Sequence, residues 1–142
     1  MKPKLLLRIA SLMMLLHLIG HSFGNELWKK TDDPTKMQVI HAMTFYKFPF
    51  MGSVRSFGDN FSGYGYAVSL FLILSSVLLW LISSSLKEKT TLSIKILITL
   101  FICLTILGID ELIFFFPFAA SLSLISAILT GLATILMRNL NS

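Results

Sequence analysis

Residues 96–137 read ILITLFICLTILGIDELIFFFPFAASLSLISAILTGLATILM. Asp110 and Glu111 are the only charged residues in this stretch, and Pro117 divides it into two runs. Each run is near the roughly 20 residues that a helix rising about 1.5 Å per residue needs to cross a hydrocarbon core of about 30 Å. The pattern predicts two transmembrane helices, Leu92 to Phe116 and Phe118 to Met137, joined so tightly that they must pack as an antiparallel hairpin. In the second of them Ala119, Ser123, Ala127 and Gly131 recur every fourth residue, a stripe of small side chains that lets a neighbouring backbone approach closely.

Moving outward, two further apolar runs of similar length occur at Leu5 to Phe23 and Tyr66 to Leu86. In the latter, Ser69, Ser76 and Ser83 repeat on one face at a spacing of seven. The whole chain has 142 residues, of which 55% are hydrophobic and 13% charged, whereas a soluble domain carries about 25% charged residues. The expected fold is therefore all-α, an integral membrane four-helix bundle forming a single membrane domain over residues 1–142. Its spans are about 5–23, 66–86, 92–116 and 118–137.

Lys2, Lys4 and Arg8 before the first run, with the small-x-small triplet Ser22-Phe23-Gly24 after it, also fit a cleaved secretory signal. Two histidines near the end of the apolar region favour a retained span instead. With the N-terminus inside, Lys2, Lys4, Arg8, Lys87, Lys89, Lys95 and Arg138 fall on the cytoplasmic side, and the link between the third and fourth spans has no basic residue. This bias predicts two cytoplasmic termini in a bacterial cytoplasmic membrane. The five other basic residues, Lys29, Lys30, Lys36, Lys47 and Arg55, are diluted by Glu26, Asp32, Asp33 and Asp59 in the connection over residues 25–65.

That connection would be extracytoplasmic, and it is too long for a simple turn. Asp33 followed by Pro34 predicts a capped helix from Pro34 to about Phe45. Met37, Ile40, His41 and Thr44 share one of its faces, as in a helix lying on the membrane surface. Trp28, Tyr46, Phe48, Phe50, Phe57, Phe61, Tyr64 and Tyr66 supply the aromatic belt of the outer interface.

The net charge of +5 does not predict nucleic-acid binding, because the basic residues flank apolar runs instead of forming one stripe. Cys103 is the only cysteine, so neither an intrachain disulfide nor a cysteine metal motif is available. Gly52, Gly58, Gly63 and Gly65 lack the spacing of a phosphate loop, and Asn60-Phe61-Ser62 matches a glycosylation acceptor only as a three-residue pattern.

Two polar pairs remain inside the apolar runs. His17 and His21 share a face of the first span with Ala10, Met13, Gly20 and Gly24, a face expected to point into the bundle. Asp110 and Glu111 sit near the end of the third span, where carboxylates are tolerated when they face other helices or a wet cavity. If both spans run outward, the histidines lie about 10 Å and 5 Å below the outer end and the acids about 9 Å and 8 Å, so the pairs match in depth. A polar cluster of His17, His21 and Asp110 or Glu111 is expected, with Arg55 and His41 from the outer connection available to close over it. Glu111 is favoured over Asp110 for its longer reach.

The same groups allow three chemistries. A structural network would fasten the first span to the third. A metal held by His17, His21 and Glu111 has permitted donors, although Leu18 occupies the position where a zinc protease carries its general-base Glu. A quinone or other small apolar ligand would take hydrogen bonds or a proton path from the cluster, with Phe114, Phe115, Phe116 and Phe118 able to line a cavity. Haem is disfavoured because His17 and His21 lie on one helix.

The His17-x-x-x-His21-Ser22-Phe23-Gly24 segment, the loop Val54-Arg55-Ser56-Phe57-Gly58-Asp59 and the start Gly63-Tyr64-Gly65 of the second span together resemble a group of small four-span bacterial membrane proteins with no assigned activity. The layout is also similar to that of the DoxX-like four-helix membrane proteins, some of which are subunits linked to quinone redox reactions. The first resemblance names no chemistry; the expectation from the polar cluster is a ligand-binding or accessory subunit, working as a homo-oligomer or beside a partner membrane subunit. The alternative is a membrane oxidoreductase or metal-dependent enzyme using the same cluster. No cofactor is specified by the residues themselves.

Overall fold

The computed structural model describes residues 2–86 and 91–139, so Lys87 and Lys89, which enter the topology argument, lie outside the described residues. The elements in chain order are α1 (Pro3–Leu27), α2 (Pro34–Phe45), β1 (Lys47–Phe50), β2 (Ser53–Ser56), α3 (Phe57–Ser84), α4 (Thr91–Phe114) and α5 (Pro117–Asn139). Four of them, α1, α3, α4 and α5, are long and apolar enough to cross a membrane. These are the four spans expected from the apolar runs, and they make the chain an integral membrane protein.

Two boundaries and one element differ from expectation. α1 continues to Leu27, and α3 begins at Phe57 instead of near Tyr66. The early start of α3 has a local cause. Ser56 N donates to Asp59 Oδ2 at 2.9 Å while Asp59 N donates to Ser56 Oγ at 3.0 Å, a reciprocal cap that satisfies amides the helix cannot. The fold is helical as expected, with one addition, a short antiparallel hairpin in which Lys47 faces Ser56 and Phe50 faces Ser53. Its two-residue turn, Met51 with φ 45° and Gly52 with φ 81°, has the positive φ at both positions that matches the twist of paired strands.

The chain divides into two compact units, Met1–Leu18 with Phe71–Ser142, and Ile19–Leu70. In the first, α1 buries Leu6, Leu7, Ala10, Ser11, Met14 and His17, the three-and-four spacing of one helical face. Opposite it α5 buries Ala119, Ser123 and Ala127 of the small-residue stripe. Gly131, the fourth member, faces Phe101 so closely that a Cβ there would stand 3.1 Å from the ring. A Cβ at Gly108 of α4 would come within 2.6 Å of Leu124 Cγ, so glycine is what lets α4 and α5 touch at that level.

Hydroxyls join α1 to its neighbours. Ser11 Oγ donates to the Ser76 carbonyl at 2.8 Å and Ser76 Oγ donates to the Ser11 carbonyl at 2.9 Å, linking α1 and α3. Ser126 Oγ of α5 donates to the Ala10 carbonyl at 3.3 Å. Where apolar side chains gain nothing by leaving apolar lipid, close backbone approach and such bonds are what select the packing. Of the expected serine face on α3, Ser76 and Ser83 are buried and Ser69 is half-buried.

In the unit Ile19–Leu70, the end of α1 is tied to the start of α3. Tyr66 donates its hydroxyl to Glu26 Oε1 at 3.0 Å, and Trp28 Nε1 donates to Ser62 Oγ at 3.3 Å while its ring meets Phe61 edge-on at 4.9 Å. A side chain at Gly65 would overlap the Asn25 amide. α2 starts at Pro34 as the sequence predicts, with Asp33 Oδ1 accepting from Thr35 N at 2.8 Å and Lys36 N at 3.3 Å. It buries no residue, and it touches α3 where a Cβ on Gly58 would come 2.9 Å from Thr44 Cγ2. The belt aromatics Tyr46, Phe50, Phe57, Phe61, Tyr64 and Tyr66 are exposed, with Trp28 and Phe48 half-buried.

Candidate functional site

His17 is the last member of the buried stripe on α1, and its ring is held from two other helices. Nε2 lies 3.2 Å from Glu111 Oε1 on α4, and Nδ1 lies 3.2 Å from Ser123 Oγ on α5. His17 and Glu111 are each 4% exposed and Ser123 is fully buried. Gly108 is one helical turn before Glu111, and its contact Leu124 is the residue after Ser123. The missing Cβ at Gly108 therefore brings α4 and α5 close enough for one imidazole to reach both.

The three groups form a hydrogen-bonded cluster around the ring, in which the Ser123 hydroxyl also stands within hydrogen-bonding reach of the Glu111 carboxyl. With the proton on Nε2, the ring donates to Glu111 and its Nδ1 accepts the Ser123 hydroxyl proton; in the imidazolium both nitrogens donate. The second carboxylate oxygen, Glu111 Oε2, is buried and has no hydrogen-bond partner. A buried polar atom without a partner costs roughly 1–3 kcal/mol, so this oxygen marks where the cluster is incomplete.

Serine, histidine and acid in a row also describe a hydrolase triad, but the surroundings do not fit one. Ser123 lies inside α5 and is closed to solvent, and the amides of a helix interior are taken by helical hydrogen bonds. They cannot form the oxyanion-binding donors that acyl transfer requires. The cluster can hold and pass a proton and can offer one free acceptor.

Asp110 is exposed, because adjacent helical positions point about 100° apart and Glu111 takes the inward one. His21 belongs to the unit Ile19–Leu70, where its Nε2 is 2.9 Å from the Gly65 carbonyl oxygen. In that same unit His41 is exposed, its ring stacked on Phe45 at 5.0 Å. Arg55, also exposed there, donates from its guanidinium to the Val54 carbonyl at 3.0 Å. Among the described residues no three His, Cys, Asp or Glu side chains are grouped as metal ligands. Phe114, Phe115, Phe116 and Phe118 are all exposed.

Ser123 is the participant that sequence reasoning placed only as a small residue. Its register, four residues from Ala119 and Ala127 on the buried stripe, was the available signal. Comparison with protein-family models, curated proteins and solved structures finds no match.

Proposed function

We propose that this chain is a small accessory subunit of a bacterial cytoplasmic membrane complex, in which the Ser123–His17–Glu111 cluster receives a small apolar molecule bearing a hydroxyl group, of the quinol class. The observation that carries this reading is Glu111 Oε2, a buried acceptor without a partner beside a ring able to relay the proton. Intramembrane ionisable groups are costly and are kept where a ligand, a proton or a partner uses them. The DoxX-like resemblance in layout points the same way. Both termini are cytoplasmic in this proposal, and the connection carrying α2 and the hairpin is extracytoplasmic.

The competing oxidoreductase or metal-dependent reading has no group of three His, Cys, Asp or Glu donors among the described residues to draw on. Wild-type protein and a Glu111→Gln variant, purified in mild detergent, separate these readings by mass spectrometry of organic extracts, metal analysis and an optical spectrum. Wild type should retain an extractable quinol-type molecule that the variant loses while keeping its elution profile. Equal retention by both, or none in wild type on adding a quinol, overturns the proposal. Stoichiometric metal that depends on His17 would favour the alternative.

A further inference from the structure

The hairpin β1–β2 ends in side chains that a soluble turn would not choose. Met51 is 92% exposed, with Phe50 and Val54 also open. Met51 holds a positive φ, a conformation that suits glycine, asparagine or aspartate and strains other L residues. Lys47 and Arg55 stand exposed at the base, and residues 47–56 contain no acid. An apolar tip above a cationic base is the side-chain order of a segment that enters a bilayer interface, with alkyl and aromatic groups at the acyl boundary and cations on the phosphates.

The attachment of the hairpin makes that placement reachable. β2 ends at Ser56 and α3 starts at Phe57, with no linker between them. The joint is stiffened by the Ser56–Asp59 cap and by Phe48 packed on Phe57 at 4.8 Å between ring centres. α3 has 28 residues and so measures about 42 Å, roughly 12 Å more than the hydrocarbon core. Its first turns, which include Asp59, therefore stand in the headgroup layer. A four-residue strand extends about 13 Å, enough to return the tip to the acyl boundary.

Lipid is favoured over a protein partner by size. A stable protein contact covers about 800 Å² on each side, far beyond Phe50, Met51 and Val54. A lipid contact needs only these few side chains, because α3 already holds them at the interface.

We propose that the Phe50-Met51-Gly52 tip is a wedge in the phospholipid leaflet that receives the first turns of α3, with Lys47 and Arg55 on lipid phosphates. It fixes the depth of α3 and the tilt at which it enters the bilayer.

The test uses the full chain on a Cys103→Ser background with a single nitroxide on Met51→Cys, reconstituted in phosphatidylethanolamine and phosphatidylglycerol vesicles. Phe50→Cys serves as a second tip variant, and only proteins that keep their elution profile and helical circular dichroism are compared. Labels at Leu74→Cys, exposed in α3, and at Asp32→Cys, exposed before α2, mark the lipid and water references. The tip label should be relaxed by oxygen and lose access to a water-soluble nickel chelate, as at position 74. In Lys47→Gln/Arg55→Gln the chelate should regain access. Nickel access equal to that at position 32 overturns the wedge. So does shielding with dipolar broadening that unlabelled protein relieves, which would place the tip on a second copy. If position 74 also behaves as water, α3 does not cross the bilayer.

Discussion

His17 carries three relations at once: it ends the apolar face of α1, accepts or donates toward Ser123, and pairs with Glu111. Removing it strands two buried polar groups, and breaking a buried pair from one side costs about 3–5 kcal/mol, more than an exposed ion pair contributes. Replacing both partners of the pair by apolar residues of similar size removes the buried carboxylate and leaves only the Ser123 hydroxyl without its imidazole partner. His17→Leu should therefore lower the Tm in detergent clearly, and His17→Leu/Glu111→Leu should recover most of the loss. A single variant as stable as wild type would show that the pair has no structural weight. The pairing of a histidine on the first span with an acid on the third was an expectation from depth alone, since the small residues Gly20 and Gly24 expected on the same face as His17 are exposed and the buried face runs through Ala10 and Met14 instead. The choice of Glu111 over Asp110 rested on reach, whereas the fold decides it by helical angle. His21, four residues on and expected beside His17, instead meets a carbonyl in the unit Ile19–Leu70, a backbone partner that side-chain pattern does not reveal.

At the scale of elements, the long spans were readable because twenty apolar residues permit little else, whereas α3's first turns were not. Gly58, Gly63 and Gly65 are poor helix formers, yet Gly58 and Gly65 are required where Thr44 and Asn25 approach the helix. What starts α3 is the Ser56–Asp59 exchange, a three-residue spacing easily read as part of a loop. Asp59→Ala should destabilise the start of α3 and fray its first turn. Hydrogen exchange at the amides of residues 57–59 should accelerate while those of residues 72–80 stay protected; unchanged exchange at Phe57 would argue that the cap is incidental. The hairpin was missed because Met51-Gly52 is a weak turn signal compared with Asn-Gly, and because its aromatics served equally well as a membrane belt.

For the whole molecule, four helices able to span a membrane return the chain to the side where it began. In the proposed topology that side is the cytoplasm, where Lys2, Lys4, Arg8, Lys95 and Arg138 would lie. A fluorescent reporter that folds only in the cytoplasm should be bright on the C-terminus, and alkaline phosphatase fused there should be inactive. The opposite pair of signals would reverse the topology. Composition alone carried the membrane assignment, but not how α1 is gripped, since that depends on serines whose partners are backbone carbonyls on other helices.

The grip on α1 has a consequence for biosynthesis. His17 leaves the ribosome with the first span, yet Ser123 lies 106 residues further along the chain. At about 5–20 residues per second, translation takes roughly 5–20 s to deliver it. Glu111 precedes Ser123 in the chain, so the two partners of the ring arrive one after the other, and α1 takes its packed position only after α4 and α5 have been made.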